Sequence, residues 1–169
     1  MKCTSAQANK LLKQLNEEYA TILDKESRTS TFNATIGEDV ESARPKYDYI
    51  SYQNQIEVLE KKIRIVKHAI NIFNTTTLIS EFGMTIDEML VYIPQLTKAK
   101  AKLQEMRSRA PKERVKDNYH FSSNIIDYQY INYDLDQVEK DYRVVCDKLT
   151  QAQLVLDTYN SKEEIVIDL

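Results

Sequence analysis

The stretch YISYQNQIEVLEKKIRIVKHAINIF, residues 49–73, decides the fold. Its positions Tyr49, Tyr52, Ile56, Leu59, Ile63, Val66, Ile70 and Phe73 advance by alternating steps of three and four, the seam of a long helix packed along another helix. Side chains at that spacing stay on one stripe, and burying the stripe requires a partner of similar length. The same rhythm recurs on both sides. Upstream, Ala8, Leu12, Leu15, Tyr19 and Ile22 predict a helix over about 5–27, capped by Thr4 or Ser5. The decisive stretch itself predicts a second helix over about 47–74, about 40 Å long at 1.5 Å per residue. It stops in the cluster Asn71, Asn74, Thr75, Thr76 and Thr77, whose side chains compete with the helical backbone for hydrogen bonds.

Gly83 closes the connection, and a capping box opens a third helix over about 85–109: Thr85 is the cap, Glu88 follows three residues on, and Met84 with Met89 forms a hydrophobic staple. Ile86, Met89, Ile93, Leu96, Leu103 and Met106 face inward, while Pro94 predicts a kink or local break. Asp134 with Gln137 caps a fourth helix over about 134–160, with Leu135, Val138, Tyr142, Val145, Leu149, Ala152, Leu156 and Tyr159 as its seam. Matching seam lengths predict that the second and fourth helices form the long antiparallel pair.

Between the helices the pattern changes. Residues 28–46 carry no sustained period and read as a long connection, with a short strand through Thr31 to Ile36 as one option. Ile126, Tyr128 and Tyr130 alternate within a run of β-branched and aromatic residues and predict a strand over about 124–132, which Tyr119 to Ser122 would pair. The tail Ile165, Ile167, Leu169 alternates likewise, so a small sheet at one end of the bundle is expected. The fold class is therefore mainly α: an elongated four-helix, coiled-coil-like bundle with a small β-hairpin or sheet appendage, forming a single domain over 1–169.

Composition agrees with that class. Two glycines, three prolines and 29% charged residues leave few positions for the tight turns of an all-β fold. A chain of 169 residues suits one domain, burying about two-thirds of the unfolded surface. The two cysteines, Cys3 and Cys146, form neither a ligand spacing nor a disulfide framework, which favours a reducing compartment and a cytoplasmic location. No run approaches the roughly 20 apolar residues of a membrane span, and MKCTSAQANK lacks the apolar core of a secretory signal. Eleven tyrosines suit half-buried seams, oligomer interfaces and ligand contacts alike. A net charge of −3 argues against a protein that coats nucleic acid with its whole surface.

The segment AINIFNTTT ending a long helix, then Gly83 and the capped TIDEML helix, then a polar strand running into NYDLDQVEKDY and a last helix, resembles the septicolysin-like family of small bacterial helical proteins. The likeness rests on order, spacing and the Asn and Thr cluster. It implies a fold and no activity. Where the family usually carries charges after the start of the third helix, this chain has Tyr92, Ile93 and Pro94.

Chemistry is sparsely encoded. His68 and His120 are the only histidines, and neither has a second His or a Cys at ligand spacing, so no metal site is expected. Cys146 lies beside the seam and reads as packing. With no Gly-rich phosphate loop, nucleophile elbow or paired-carboxylate motif, neither catalysis nor a cofactor is expected.

Two clusters remain as candidate ligand sites. Lys98, Lys100, Lys102, Arg107, Arg109, Lys112, Arg114 and Lys116 crowd the end of the third helix and its loop, followed by Tyr119, His120 and Phe121. Cations beside rings can hold phosphates and stack bases. Equally, these cations can lie on a solvated face and complement the helix dipole. Asn71, Asn74, Thr75 and Thr76 read either as a buried polar network that ends the helix or as donors lining a pocket. Tyr128 and Tyr130, on the strand, can meet a partner or ligand, whereas Tyr49, Tyr52, Tyr142 and Tyr159 belong to seams. A second basic set, Lys61, Lys62, Arg64 and Lys67, alternates with Glu57 and Glu60 as in ordinary helix pairing. The expected function is a non-catalytic, self-associating helical binding or scaffold protein, a homo-oligomer that meets a protein partner. The alternatives are an oligomer that sequesters an anionic nucleotide-like molecule, or RNA binding through residues 98–121. No membrane association is expected.

Overall fold

The computed structural model describes residues 1–115 and 127–169. Element order is β1 (Lys2–Thr4), α1 (Ser5–Thr29), α2 (Val40–Ala43), α3 (Tyr49–Thr76), β2 (Leu78–Ile79), β3 (Met84–Thr85), α4 (Ile86–Ser108), β4 (Lys112–Arg114), β5 (Tyr128–Tyr130), α5 (Leu135–Lys162) and β6 (Glu164–Val166). The chain is a mainly helical bundle with small antiparallel two-stranded sheets. The four long helices are the four that periodicity predicts. Thr4 caps α1 through a reciprocal pair with Gln7, Asp48 caps α3 by accepting from Ser51 N, and Asp134 caps α5 by accepting from Asp136 N and Gln137 N. The helix α4 runs through Pro94 without a break. The ring removes only the one hydrogen bond that residue 94 would donate.

Partner choice differs from expectation. Instead of the second predicted helix meeting the fourth, α1 lies along α3 and α4 along α5. Tyr19 donates to Glu60 at 3.1 Å and Gln53 donates to Glu26 at 2.9 Å, so α1 and α3 run antiparallel. Arg107, near the end of α4, meets Glu139, near the start of α5, at 3.1 Å, so that pair is antiparallel too. Each long helix packs on its neighbour in the chain, the cheapest closure of the connecting segment. The two pairs join through contacts of α3 with α4 and of α1 with α5. Between them lies a core of Ala8, Leu15, Leu59, Val66, Ile70, Phe73, Met89, Leu96, Leu149, Ala152 and Leu156.

The seam that decides the fold is covered over most of its length. Leu59, Val66, Ile70 and Phe73 are buried and Ile63 packs against them. Tyr49 is 60% exposed, so the stripe opens at its start, where Tyr52 stacks on Tyr47 with centroids 5.6 Å apart.

Among the described residues three short sheets replace the one that was expected. The tail strand β6 pairs with β1, Cys3 opposite Ile165, and not with the strand near residue 128. Ile165 and Ile167 point inward and Val166 outward, the alternation legible in the tail. β2 and β3 form a tight hairpin in which Gly83 adopts φ +63°, left-handed backbone that favours glycine. β5 pairs with β4, Lys112 opposite Tyr130 and Arg114 opposite Tyr128. The predicted partner Tyr119 to Ser122, and residues 124–126 of the predicted strand, lie outside the described residues. Residues 31–35 form no strand; Glu38 N donates to Thr35 O at 3.0 Å in a turn, and the short helix α2 follows. Six exposed or half-buried residues from 31 to 36 give a strand no face to bury.

Candidate functional site

Two surfaces stand out. The first is the hairpin of β4 and β5. Residues directly opposite on an antiparallel pair share a face, so Lys112, Arg114, Tyr128 and Tyr130 form one exposed patch. The Lys112 ammonium lies 4.0 Å from the Tyr128 ring centroid and 5.4 Å from that of Tyr130, a cation held on aromatic faces. At the base of the hairpin a recess of about 390 Å³ is lined by Arg109, Glu113, Gln129, Tyr130, Asn132 and Tyr133, among others.

The cations of α4 nearest this patch are already engaged. Arg107 pairs with Glu139 and sits 4.4 Å over the Tyr142 ring. Arg109 is paired with Glu105, which raises the guanidinium pKa further above its ordinary value through hydrogen bonding and charge. Both therefore meet carboxylates of this chain before any ligand. Of the predicted site residues on this side, Arg109 and Tyr130 share the recess, Arg114 and Tyr128 share the patch, and Arg107 stands on the α4–α5 seam. Tyr119 and His120 lie outside the described residues.

The Asn and Thr cluster does not form a buried network. Asn71, Thr75 and Thr76 are exposed and Asn74 is half-buried. Thr75 Oγ1 donates to Asn71 O at 2.9 Å and Thr76 Oγ1 to Ile72 O at 2.7 Å. Each hydroxyl bonds back to the carbonyl four residues earlier, the local side-chain-to-backbone contact that Thr makes near a helix end. Of the four, Thr76 lines a cavity.

That cavity is the second surface. Ile65, His68, Ala69, Ile72, Phe73 and Thr76 of α3 face Glu163, Glu164, Ile165, Val166 and Asp168 across a groove of about 540 Å³. Farther up the same flank of α3, Val58, Asn54 and Lys62 border a smaller recess of about 280 Å³ with Glu18 and Ile22 of α1. Val58 is 53% exposed and Ile72 is 49% exposed. Val58, Ile65 and Ile72 stand seven residues apart, hence on one line along the helix. Sequence reasoning missed this second stripe because the stronger seam beside it absorbed the pattern. The signal was present in the repeat of a β-branched residue at every seventh position.

Among the described residues no group of three or more His, Cys, Asp or Glu side chains is placed to hold a metal ion. Nor is any described helix long and apolar enough to cross a membrane.

The fold defines a class, a helical bundle of two antiparallel pairs carrying small sheets. No family model matches the chain, and no curated protein matches it. It is similar to a crystal structure described as a functionally unknown conserved protein from Corynebacterium diphtheriae, at TM-score 0.61 and 16% sequence identity, over 98% of this chain and 100% of that one. At that identity the likeness shows the fold alone.

Proposed function

We propose that the chain is a non-catalytic, self-associating helical scaffold or binding protein of the cytoplasm. One observation carries this reading: the flank of α3, where exposed Val58 and Ile72 line up with half-buried Ile65 beside a groove of about 540 Å³. Single exposed apolar side chains are ordinary on a protein surface. Two exposed in register along one helix, joined by half-buried Ile65 and next to a recess, have the form of an interface. The free state of Cys3 and Cys146 supports the cytoplasmic setting.

A second reading is capture of an anionic small molecule or RNA, favoured by the exposed cation and ring patch of Lys112, Arg114, Tyr128 and Tyr130. Engagement of Arg107 and Arg109 by carboxylates weighs against it. One experiment separates the two. Light scattering on the purified chain, combined with native mass spectrometry, is expected to give a mass of at least two copies of the 19.7 kDa chain without retained ligand. A mass of 19.7 kDa at every concentration overturns self-association, and a co-purifying nucleotide or RNA mass favours the second reading.

A further inference from the structure

The strand β6 carries a row of backbone groups that the chain leaves unmet. Ile167 N donates to Met1 O and the Met1 ammonium donates back to Ile167 O. Such reciprocal pairs recur at every second residue of an antiparallel ladder, so Cys3 and Ile165 form the next one. The N–H and C=O groups of Glu164, Val166 and Asp168 therefore point away from β1. The sheet ends at β6, and among the described residues those groups bond to nothing in this chain. On β1 the outer edge is partly closed, since Thr4 N donates to Gln7 Oε1 at 3.0 Å.

The free edge opens on the groove of about 540 Å³. Within this sheet β6 is the strand packed against α3. Residues 163–166 and 168 form one wall of the groove, and Ile65, Ala69 and Ile72 stand on the other. The helical wall runs about 16 Å from Ile65 to Thr76 and the strand wall about 13 Å from Glu164 to Asp168, a length of about five extended residues. We propose that an extended segment of a partner protein docks here as a third strand, antiparallel to β6. Its backbone completes the bonds of Glu164, Val166 and Asp168, and its inward side chains cover Ile65, Ala69 and Ile72. A helix laid in the same groove would leave the backbone row unmet.

The pleat sets the chemistry of that segment. Alternate side chains share the face of Ile165 and Ile167 and are apolar; those between them share the face of Glu164 and Asp168, where a cation directly opposite a carboxylate is favoured. Glu164 already faces Lys2 at 3.9 Å, and Lys67 and His68 stand on α3, not on the strand. A second copy fits less well, because the register that pairs the whole row of two β6 edges sets Glu164 directly against Asp168 twice. The inference rests on the binding side of the proposed function and names the form of the ligand.

The probe is the peptide acetyl-GKVTVKG-amide carrying a fluorescein label, its lysines and threonine opposite the unmet row and its valines inward. Fluorescence anisotropy with the full chain is expected to show saturable binding. N-methylation of the lysines and threonine removes the N–H groups aimed at β6 and is expected to weaken binding at least about tenfold, whereas N-methylation of the two valines is expected to change it less than about threefold. Val166→Pro deletes one outward donor and no bond to β1, a change that an edge strand tolerates. It is expected to weaken binding at least about fivefold, with thermal melts followed by circular dichroism checking that the variant folds. No saturable binding, or equal weakening by both methylation patterns, overturns the docked strand. Loss of self-association in V166P without any peptide binding assigns the edge to a second copy and overturns it too. Oligomer mass is read separately, so absence of peptide binding alone leaves self-association standing.

Discussion

Thr85 and Glu88 show how much one pair of side chains can fix. Glu88 N donates to Thr85 Oγ1 at 3.2 Å, and Thr85 N donates to Glu88 Oε2 at 2.7 Å, closing the reciprocal cap that the sequence predicts. The backbone amide of Thr85, and then its hydroxyl, hold the Glu88 carboxyl below its ordinary value of 4.5. A carboxylate depressed in the folded state stabilises the fold above its unfolded pKa, and that contribution is lost as pH falls through the folded pKa. Thr85→Ala is expected to lower the unfolding free energy by about 1 kcal/mol, read by urea melts. In the same assay at a series of pH values, the advantage of the wild type over E88Q is expected to be largest above pH 4.5 and to shrink on acidification. A cap is legible because its partners lie three residues apart. Arg107 is the opposite case: its anion Glu139 and its ring Tyr142 come from another helix, and nothing local distinguishes a cation so engaged from one awaiting a ligand.

At the scale of the element, α3 separates what periodicity can say from what it leaves open. The steps of three and four locate every long helix, since they depend only on neighbours along one coil. They state that a stripe needs cover without naming the cover, and so α1, not the last helix, turned out to lie against α3. Strands of three residues or fewer are poorer still in signal. Lys2–Thr4 is too short to display alternation, and its role emerges only opposite Glu164–Val166. The stripe of α3 is also uneven in energy. Leu59, 4% exposed, is expected to cost about 2–5 kcal/mol when cut to alanine. Tyr49, 60% exposed, is expected to change stability by no more than about 0.5 kcal/mol. Paired denaturant titrations of the two variants measure the contrast, and equal losses would place the buried part of the seam elsewhere.

Across the whole molecule, the two helix pairs are each made from consecutive stretches of chain, whereas β1 and β6 bring its first and last residues together. Met1 extends that pairing: Ile167 N donates to Met1 O at 2.8 Å, and the Met1 ammonium donates to Ile167 O at 2.6 Å. Helical hairpins have short-range contacts and form early, while a ladder spanning the full sequence must wait until both hairpins have docked. The clasp between the two strands is therefore expected to close after the rate-limiting barrier has been crossed. Removing the buried side chain of Ile165 by substitution to alanine is expected to accelerate unfolding and leave the refolding rate unaltered, a φ-value near zero, in stopped-flow experiments at fixed protein concentration. On that expectation, how long the native bundle persists once formed is set by the pairing of β1 with β6, far in sequence from the helical ridges that give it shape.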